Sequence, residues 1–299
     1  MIGEKMKVGV LADGFRLPIR EGIRKAAEMG AAGVQLYAVD GEAAPWNMDA
    51  PARRNLRKAA EDSGLVFSAV CGDLGGYGFT NPDENPWRIE KTKEIINLAL
   101  ELGCGIITTH IGVIPSDKNH PRREIMRDTC EKLGSYAQNI GAVLAIETGP
   151  EPAAVLRGFL DSLDTRGICV NLDPANLIMT LGDDPVKAVG TLKPYIVHTH
   201  AKDGVRMRVV DTTQIYRTFG AESEADGWSG QEREMGEGDC FRELPLGAGK
   251  VDWGKYLAAL KEIGYTGFLT VERETGEDPA YDIELAINFL KVRLNRLYG

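Results

Sequence analysis

The chain has no CxxC pair and no cysteine spacing that reads as a disulfide framework. Its five cysteines, Cys71, Cys104, Cys130, Cys169 and Cys240, are odd in number and widely separated. That fits reduced thiols and a cytoplasmic location. Cys104 and Cys169 fall in apolar, strand-like segments, where a free cysteine reads as a small core residue. No uninterrupted apolar run is long enough to span a bilayer, and the opening Met1-Ile-Gly-Glu-Lys-Met-Lys7 lacks a signal-peptide core. Basic charge is also scarce, with 35 Lys and Arg against 44 Asp and Glu and a net charge of −9. A nucleic-acid or membrane-surface partner would favour a basic patch, so neither is expected. Gly72-Asp-Leu-Gly-Gly-Tyr-Gly78 is glycine-rich but matches neither the dinucleotide fingerprint nor the P-loop. It reads as a flexible loop beside an active site.

What the chain does have is rhythm. Its 299 residues are 43% apolar, enough for a sizeable core. Short β-branched runs at 7–12, 33–39, 66–71, 105–110, 142–147, 167–173, 195–200 and 267–272 alternate with helical patterns. The helices are expected near 18–30, 50–63, 86–102, 121–140, 152–162, 184–191, 252–263 and 279–297. Glycines at 30, 64, 103 and 264 stand where helices should stop, and Asp278-Pro279 is a helix start. Eight strand–helix units imply a closed parallel (β/α)8 barrel, one α/β domain over 1–299. One segment, 204–249, is polar, glycine-rich and aperiodic. It includes Glu222-Ser-Glu-Ala-Asp226 and Gly236-Glu-Gly-Asp239. It reads as an excursion after the seventh strand, a lid or a dimer contact.

Four apolar runs end in a residue that can bind a metal. They are Ala142-Val-Leu-Ala-Ile-Glu147, Gly167-Ile-Cys-Val-Asn-Leu-Asp173, Tyr195-Ile-Val-His-Thr-His200 and Gly267-Phe-Leu-Thr-Val-Glu272. Side chains alternate across a strand. Leu144 and Ile146 therefore oppose Ala145 and Glu147, and Val170 and Leu172 oppose Asn171 and Asp173. Val197 opposes His198 and His200, and Leu269 and Val271 oppose Thr270 and Glu272. Thr108, His110, Gln35 and Tyr37 fall on the same inward side. Three inward carboxylates without a cation are too costly to keep. Two Glu, one Asp and one His make a hard, oxygen-rich ligand set for a divalent ion.

The chain resembles the xylose isomerase-like barrels, a family of sugar isomerases and epimerases. The matching pieces are Ala145-Ile-Glu147, Asn171-Leu-Asp-Pro-Ala-Asn176, His198-Thr-His-Ala-Lys-Asp203, Pro245-Leu-Gly-Ala-Gly-Lys-Val-Asp-Trp253 and Gly264-Tyr-Thr-Gly-Phe-Leu-Thr-Val-Glu272. The resemblance implies that Glu147, Asp173, His200 and Glu272 hold one metal, and that Glu147 and Glu272 are the acid/base pair. Mn²⁺ is the expected ion, with Mg²⁺, Co²⁺ and Zn²⁺ open to the same ligands. Asn176 departs from many relatives, which carry His there, and this argues against a multi-metal site. The expected activity is sugar isomerisation or epimerisation by proton transfer next to a carbonyl, through an enediolate. The same constellation supports an alternative, a dehydratase or β-eliminating lyase on a keto-sugar or keto-inositol. A phosphodiester-cleaving branch needs more histidines than the four present. An idle sugar-binding barrel would lack stoichiometric metal.

Candidate substrate contacts are His110, Asn176, His198, Lys202, Trp46 and Arg206. All but Asn176 also have a plain structural reading. His198 fits a hydrogen-bonded core histidine, Lys202 a loop ion pair, Trp46 a loop anchor and Arg206 a solvated charge. His120, in a charged loop, reads as a surface residue. The expected partner is a small sugar or polyol, with a homo-oligomer open.

Overall fold

The computed structural model describes residues 5–212, 215 and 240–299. Eight parallel strands close a barrel. They are β1 (Lys7–Leu11), β2 (Gly33–Tyr37), β3 (Val66–Cys71), β4 (Ile106–Thr109), β5 (Val143–Glu147), β6 (Ile168–Leu172), β7 (Ile196–Ala201) and a last stave, Phe268–Val271. Two short strands intervene before that stave, β8 (Asp203–Arg206) and β9 (Phe241–Leu244), so the last stave is β10. The barrel order is β1-β10-β7-β6-β5-β4-β3-β2, with Lys7 opposite Phe268 closing the ring. Each expected strand lies within two residues of its observed ends.

The outer helices are α1 (Ile19–Glu28), α2 (Ala50–Asp62), α3 (Asn85–Glu101), α4 (Pro121–Asn139), α5 (Ala153–Leu160), α6 (Pro174–Asn176), α7 (Pro185–Leu192), α8 (Trp253–Glu262) and α9 (Pro279–Tyr298). Their starts follow from local chemistry. Asp49, Asp184, Asp252 and Asp278 each accept a backbone N–H of the first turn, which satisfies a donor the helix leaves open. The helix-ending glycines Gly30, Gly64, Gly103 and Gly264 all take the left-handed region. The segment after β6 was not foreseen: α6 runs into a π-helical turn, Leu177–Leu181.

The alternation read from the sequence sorts the two faces. Thr199, on the odd-numbered face of β7, hydrogen bonds Tyr256 of α8 at 2.7 Å. The opposite face builds a polar layer inside the barrel. Ser68 Oγ lies 3.4 Å from Thr270 Oγ1, which lies 3.0 Å from His198 Nε2. His198 Nδ1 donates to Asn171 Oδ1 at 2.9 Å, and Asn171 Nδ2 donates to Glu147 Oε2 at 3.2 Å. Below and around this layer, Val10, Val34, Ile107, Leu144, Val170 and Leu269 are buried completely.

The expected excursion needs correction at both ends. Residues 203–206 and 241–244 are not aperiodic; they pair antiparallel as β8 and β9, with Asp203 opposite Leu244. Asp203 is the hub of this region. Its carboxylate accepts from Gly204 N, Gly247 N, Val251 N and the Trp253 indole, all within 3.1 Å. Gly249 must be glycine here, since a Cβ would come within 2.1 Å of Asp203 Oδ1. Glu222–Asp226 and Gly236–Asp239 lie outside the described residues.

Candidate metal centre

Four consecutive staves bring the candidate ligands to one end of the barrel. Glu147 closes β5, Asp173 follows β6, His200 lies on β7 and Glu272 follows β10. One ligand atom from each lies within 4.8 Å of all the others. All four side chains are buried. His200 Nδ1 sits among the carboxylates, 3.1 Å from Glu272 Oε2 and 3.6 Å from both Glu147 Oε2 and Asp173 Oδ2.

Each ligand is held by a partner that leaves a donor atom turned inward. Gln35 of β2 accepts from His200 Nε2 at 3.2 Å and itself donates to Thr108 Oγ1 at 2.9 Å. That pairing fixes one proton on Nε2 and aims Nδ1 at the carboxylates, so Nδ1 is the nitrogen that offers a lone pair to a cation once its own proton leaves. Asn176 Nδ2 donates to Glu147 Oε1 at 2.9 Å. Asp173 Oδ1 caps α6 by accepting from Ala175 N and Asn176 N at 2.7 and 2.8 Å. Its other oxygen, Oδ2, is buried and has no hydrogen-bond partner. A bare carboxylate oxygen in the interior is expensive unless a cation meets it. The residues therefore fit a divalent ion, with carboxylate oxygens and one imidazole nitrogen as donors.

The electrostatics describe a site charged against itself. Burial raises the Asp173 carboxyl above its usual range, and the nearby Glu147 and Glu272 add to the rise. Burial also opposes a charge on His200, but Glu272 and Glu147 outweigh it and hold the imidazole well above its usual pKa. For Glu272 burial is outweighed by His200 and Lys202, which press its pKa down. His198 is neutral: burial lowers its pKa far below the usual value, and His200 adds to the fall.

The structure sorts the other candidates. Lys202 is drawn into the centre itself. It is buried, donates to Glu272 Oε2 at 3.1 Å, and pairs closely with Glu274. Its parity with His198 and His200 on one face of the strand was the available signal. His110 stands beside the cluster, with Nε2 3.9 Å from Glu147 Oε1. Its Nδ1 meets Asp73 Oδ2 at 2.9 Å. Asn176 belongs to the centre through Glu147. His198 lies one layer deeper, and both its ring nitrogens are engaged by Asn171 and Thr270. Trp46 and Arg206 are not brought to the cluster. The Trp46 ring lies under the Lys91 ammonium of α3 at 4.4 Å. Arg206 donates to the Leu181 and Arg208 carbonyls, closing the π-helical turn against β8. His120 caps α4 by accepting from Arg122 N at 3.1 Å.

Sequence reasoning missed several supporting groups. Asp73 was passed over because its loop read as flexible. That loop is pinned: a Cβ on Gly78 would fall 2.1 Å from the Ile111 backbone, and Gly75 N donates to Asp73 Oδ1 at 2.9 Å. Glu243 of β9 pairs with Arg273 Nη1 at 2.6 Å, which ties the β8–β9 ribbon to the strand end that carries Glu272. Glu151, just past β5, is buried and accepts from Ile114 N at 3.1 Å; burial pushes its carboxyl up to about 8.

The profile of the xylose isomerase-like TIM barrel family matches residues 23–293. The chain belongs to that family. An uncharacterised protein of Methanocaldococcus jannaschii is 22% identical over 241 residues, covering 76% of this chain and 70% of that protein. Among solved structures, a xylose isomerase domain protein from Planctomyces limnophilus superposes with a TM-score of 0.78 at 23% identity, covering 99% of each chain. A 3-keto-D-glucoside 4-epimerase from E. coli, in its apo form, gives 0.69 at 18% identity, covering 96% of this chain and all of that one. At such identities the likeness establishes the fold, and the activity has to be argued from the site. No helix among the described residues is long and apolar enough to cross a membrane.

Proposed function

We propose that this xylose isomerase-like barrel is a divalent-metal-dependent sugar isomerase or epimerase, working by proton transfer next to a carbonyl. One observation carries the reading. Two buried glutamates, Glu147 and Glu272, stand at the ends of a four-stave arc, with His200 and the uncapped Asp173 oxygen between them. Glu147, Asp173, His200 and Glu272 would hold the ion, Mn²⁺ by expectation. Once bound, it would polarise the substrate carbonyl and acidify the neighbouring C–H.

The chain's own groups then supply the proton chemistry. Asn171 and Asn176 hold one oxygen each of Glu147, so its orientation is fixed before substrate arrives. Lys202 and His200 both meet Oε2 of Glu272, each at 3.1 Å. One carboxylate removes the α-proton to give an enediolate, and the other returns a proton from its own side. Return to the same carbon inverts it, and return to the neighbouring carbon converts aldose and ketose. That a solved structure of this fold is a 3-keto-D-glucoside epimerase supports the first outcome. Loss of a β-hydroxyl from the same enediolate would instead make the protein a dehydratase.

The test is a panel of keto-sugars incubated in D2O with Mn²⁺-loaded protein. Carbon-bound deuterium without loss of water is expected, and loss of water would assign the dehydratase. Glu147→Gln and Glu272→Gln should each reduce incorporation by about 100-fold or more. Wild-type rates in either variant would defeat the acid/base assignment.

A further inference from the structure

We infer that Asp73 is a positioning residue: it holds His110 so that the imidazole Nε2 and Glu147 Oε1 grip one substrate oxygen between them. The inference rests on the isomerase or epimerase reading above and adds a group that reading does not use.

Asp73 lies two residues beyond β3, and His110 directly follows β4. Asp73 is itself fixed, with Gly75 N on Oδ1 at 2.9 Å and His110 Nδ1 on Oδ2 at 2.9 Å. The loop that carries it cannot slide. Gly78 and Gly112 bring the two loop backbones so close that a Cβ on either would overlap the other chain segment. Both Asp73 oxygens are thus engaged, one by a backbone N–H and one by the His110 ring.

A carboxylate that accepts from Nδ1 sets the ring orientation and sends Nε2 the opposite way. Here the opposite way is toward Glu147, across 3.9 Å. An oxygen about 2.8 Å from each atom fits across that separation. The placement suits a substrate hydroxyl. Glu147 Oε2 lies on the side of His200, whereas Oε1 lies on the side of His110. The His110 and Asp73 side chains are each 26% exposed and Glu147 only 7%. The pair therefore stands closer to solvent than Glu147, although the Nε2 atom itself is buried. A hydroxyl held there has its carbon beside the carboxylate that exchanges the proton.

The experiment is a double-mutant cycle on Mn²⁺-loaded protein, using the keto-hexose with the greatest deuterium uptake in the wild type. Asp73→Ala and His110→Ala should each lower kcat/KM about tenfold or more. Asp73→Ala should cost nothing further in the His110→Ala background, because it acts through that ring. Asp73→Asn, which keeps an acceptor for Nδ1–H, should recover most of the loss. Manganese content should stay at wild-type level in all of them. A purely structural role for the loop predicts a full further loss in the His110→Ala background, and that result would overturn the inference. So would a change below twofold in Asp73→Ala alone. A substrate-free measurement keeps the two readings separate. In Mg²⁺-loaded protein, the downfield Nδ1–H resonance of His110 should vanish in Asp73→Ala, and its persistence overturns the positioning role. A wild type that exchanges no sugar, with that resonance lost as expected, would defeat the isomerase reading while the Asp73–His110 coupling stood.

Discussion

Asp173 does two jobs with two oxygens. Oδ1 caps α6 and Oδ2 meets no donor. Asp173→Asn separates them: the cap survives, and an N–H2 group faces the centre in place of an anion. Manganese retained through gel filtration should fall from about one ion per chain to near none, a loss beyond the roughly 10–100-fold that an outer partner costs. The metal-free variant should melt no lower than metal-free wild type, because a repelling buried carboxylate is gone. Calorimetry and metal analysis of the same samples check both parts. The pH dependence follows from His200. Its folded pKa is raised above its ordinary 6.5. In the metal-free protein its contribution to stability is therefore full below 6.5 and drains away as pH climbs through the raised value. Asp173, also raised, drains in the same direction from its own lower starting point. A metal must displace the His200 proton, so metal affinity should strengthen with pH by about tenfold per unit for one proton released. Titration calorimetry in buffers of different ionisation enthalpy counts that proton. An affinity flat from pH 6 to 8 would contradict the protonated metal-free centre.

At the scale of elements, the barrel staves were legible because each combines an apolar β-branched run with a helix-stopping glycine before it or a polar residue after it. The ligands were legible for a related reason: a side chain at a strand's C-terminal end has its face fixed by parity with the apolar residues before it. The β8–β9 ribbon was not legible. Asp-Gly-Val-Arg and Phe-Arg-Glu-Leu are four residues each and mixed in polarity. They become strands only because tertiary contacts select them. Asp203 is the principal contact. It follows Lys202 and pulls four donors together, from Gly204, Gly247, Val251 and Trp253. This explains why the His-x-His-x-Lys-Asp and Leu-Gly-x-Gly-x-x-Asp-Trp segments occur as a pair: the first supplies the acceptor and the second most of the donors. Asp203→Ala leaves buried N–H groups unpaired and should destabilise the protein by about 3 kcal/mol. Denaturant unfolding followed by tryptophan fluorescence measures it. The predicted signature is a lower midpoint with an unchanged slope, and a midpoint equal to wild type would show the hub to be dispensable.

At the scale of the molecule, the centre is shared by seven of the eight staves. Four staves give ligands, and other staves brace them from inside: Gln35 of β2 reaches His200, Thr108 of β4 holds Gln35, and Ser68 of β3 meets Thr270 of β10. A group of like charges at the junction of so many strands works against closure of the barrel. Lys202 offsets part of it but is shared with Glu274 as well as Glu272. A divalent ion joins β5, β6, β7 and β10 at one point, and unfolding must release it. Binding to the native state alone raises stability by mass action, about 2.7 kcal/mol when free metal is 100 times its dissociation constant. The melting temperature should therefore climb steadily with Mn²⁺ concentration, by a few degrees over that range. EDTA should reverse the gain. Glu272→Gln should flatten the dependence, because it removes one ligand charge and the carboxylate that Lys202 meets at the centre. Scanning calorimetry across a Mn²⁺ series decides the matter. A wild-type melting temperature indifferent to Mn²⁺, Mg²⁺, Co²⁺ and Zn²⁺ alike would mean that these staves converge on a salt-bridge network, with Lys202 and a protonated His200 among its cations.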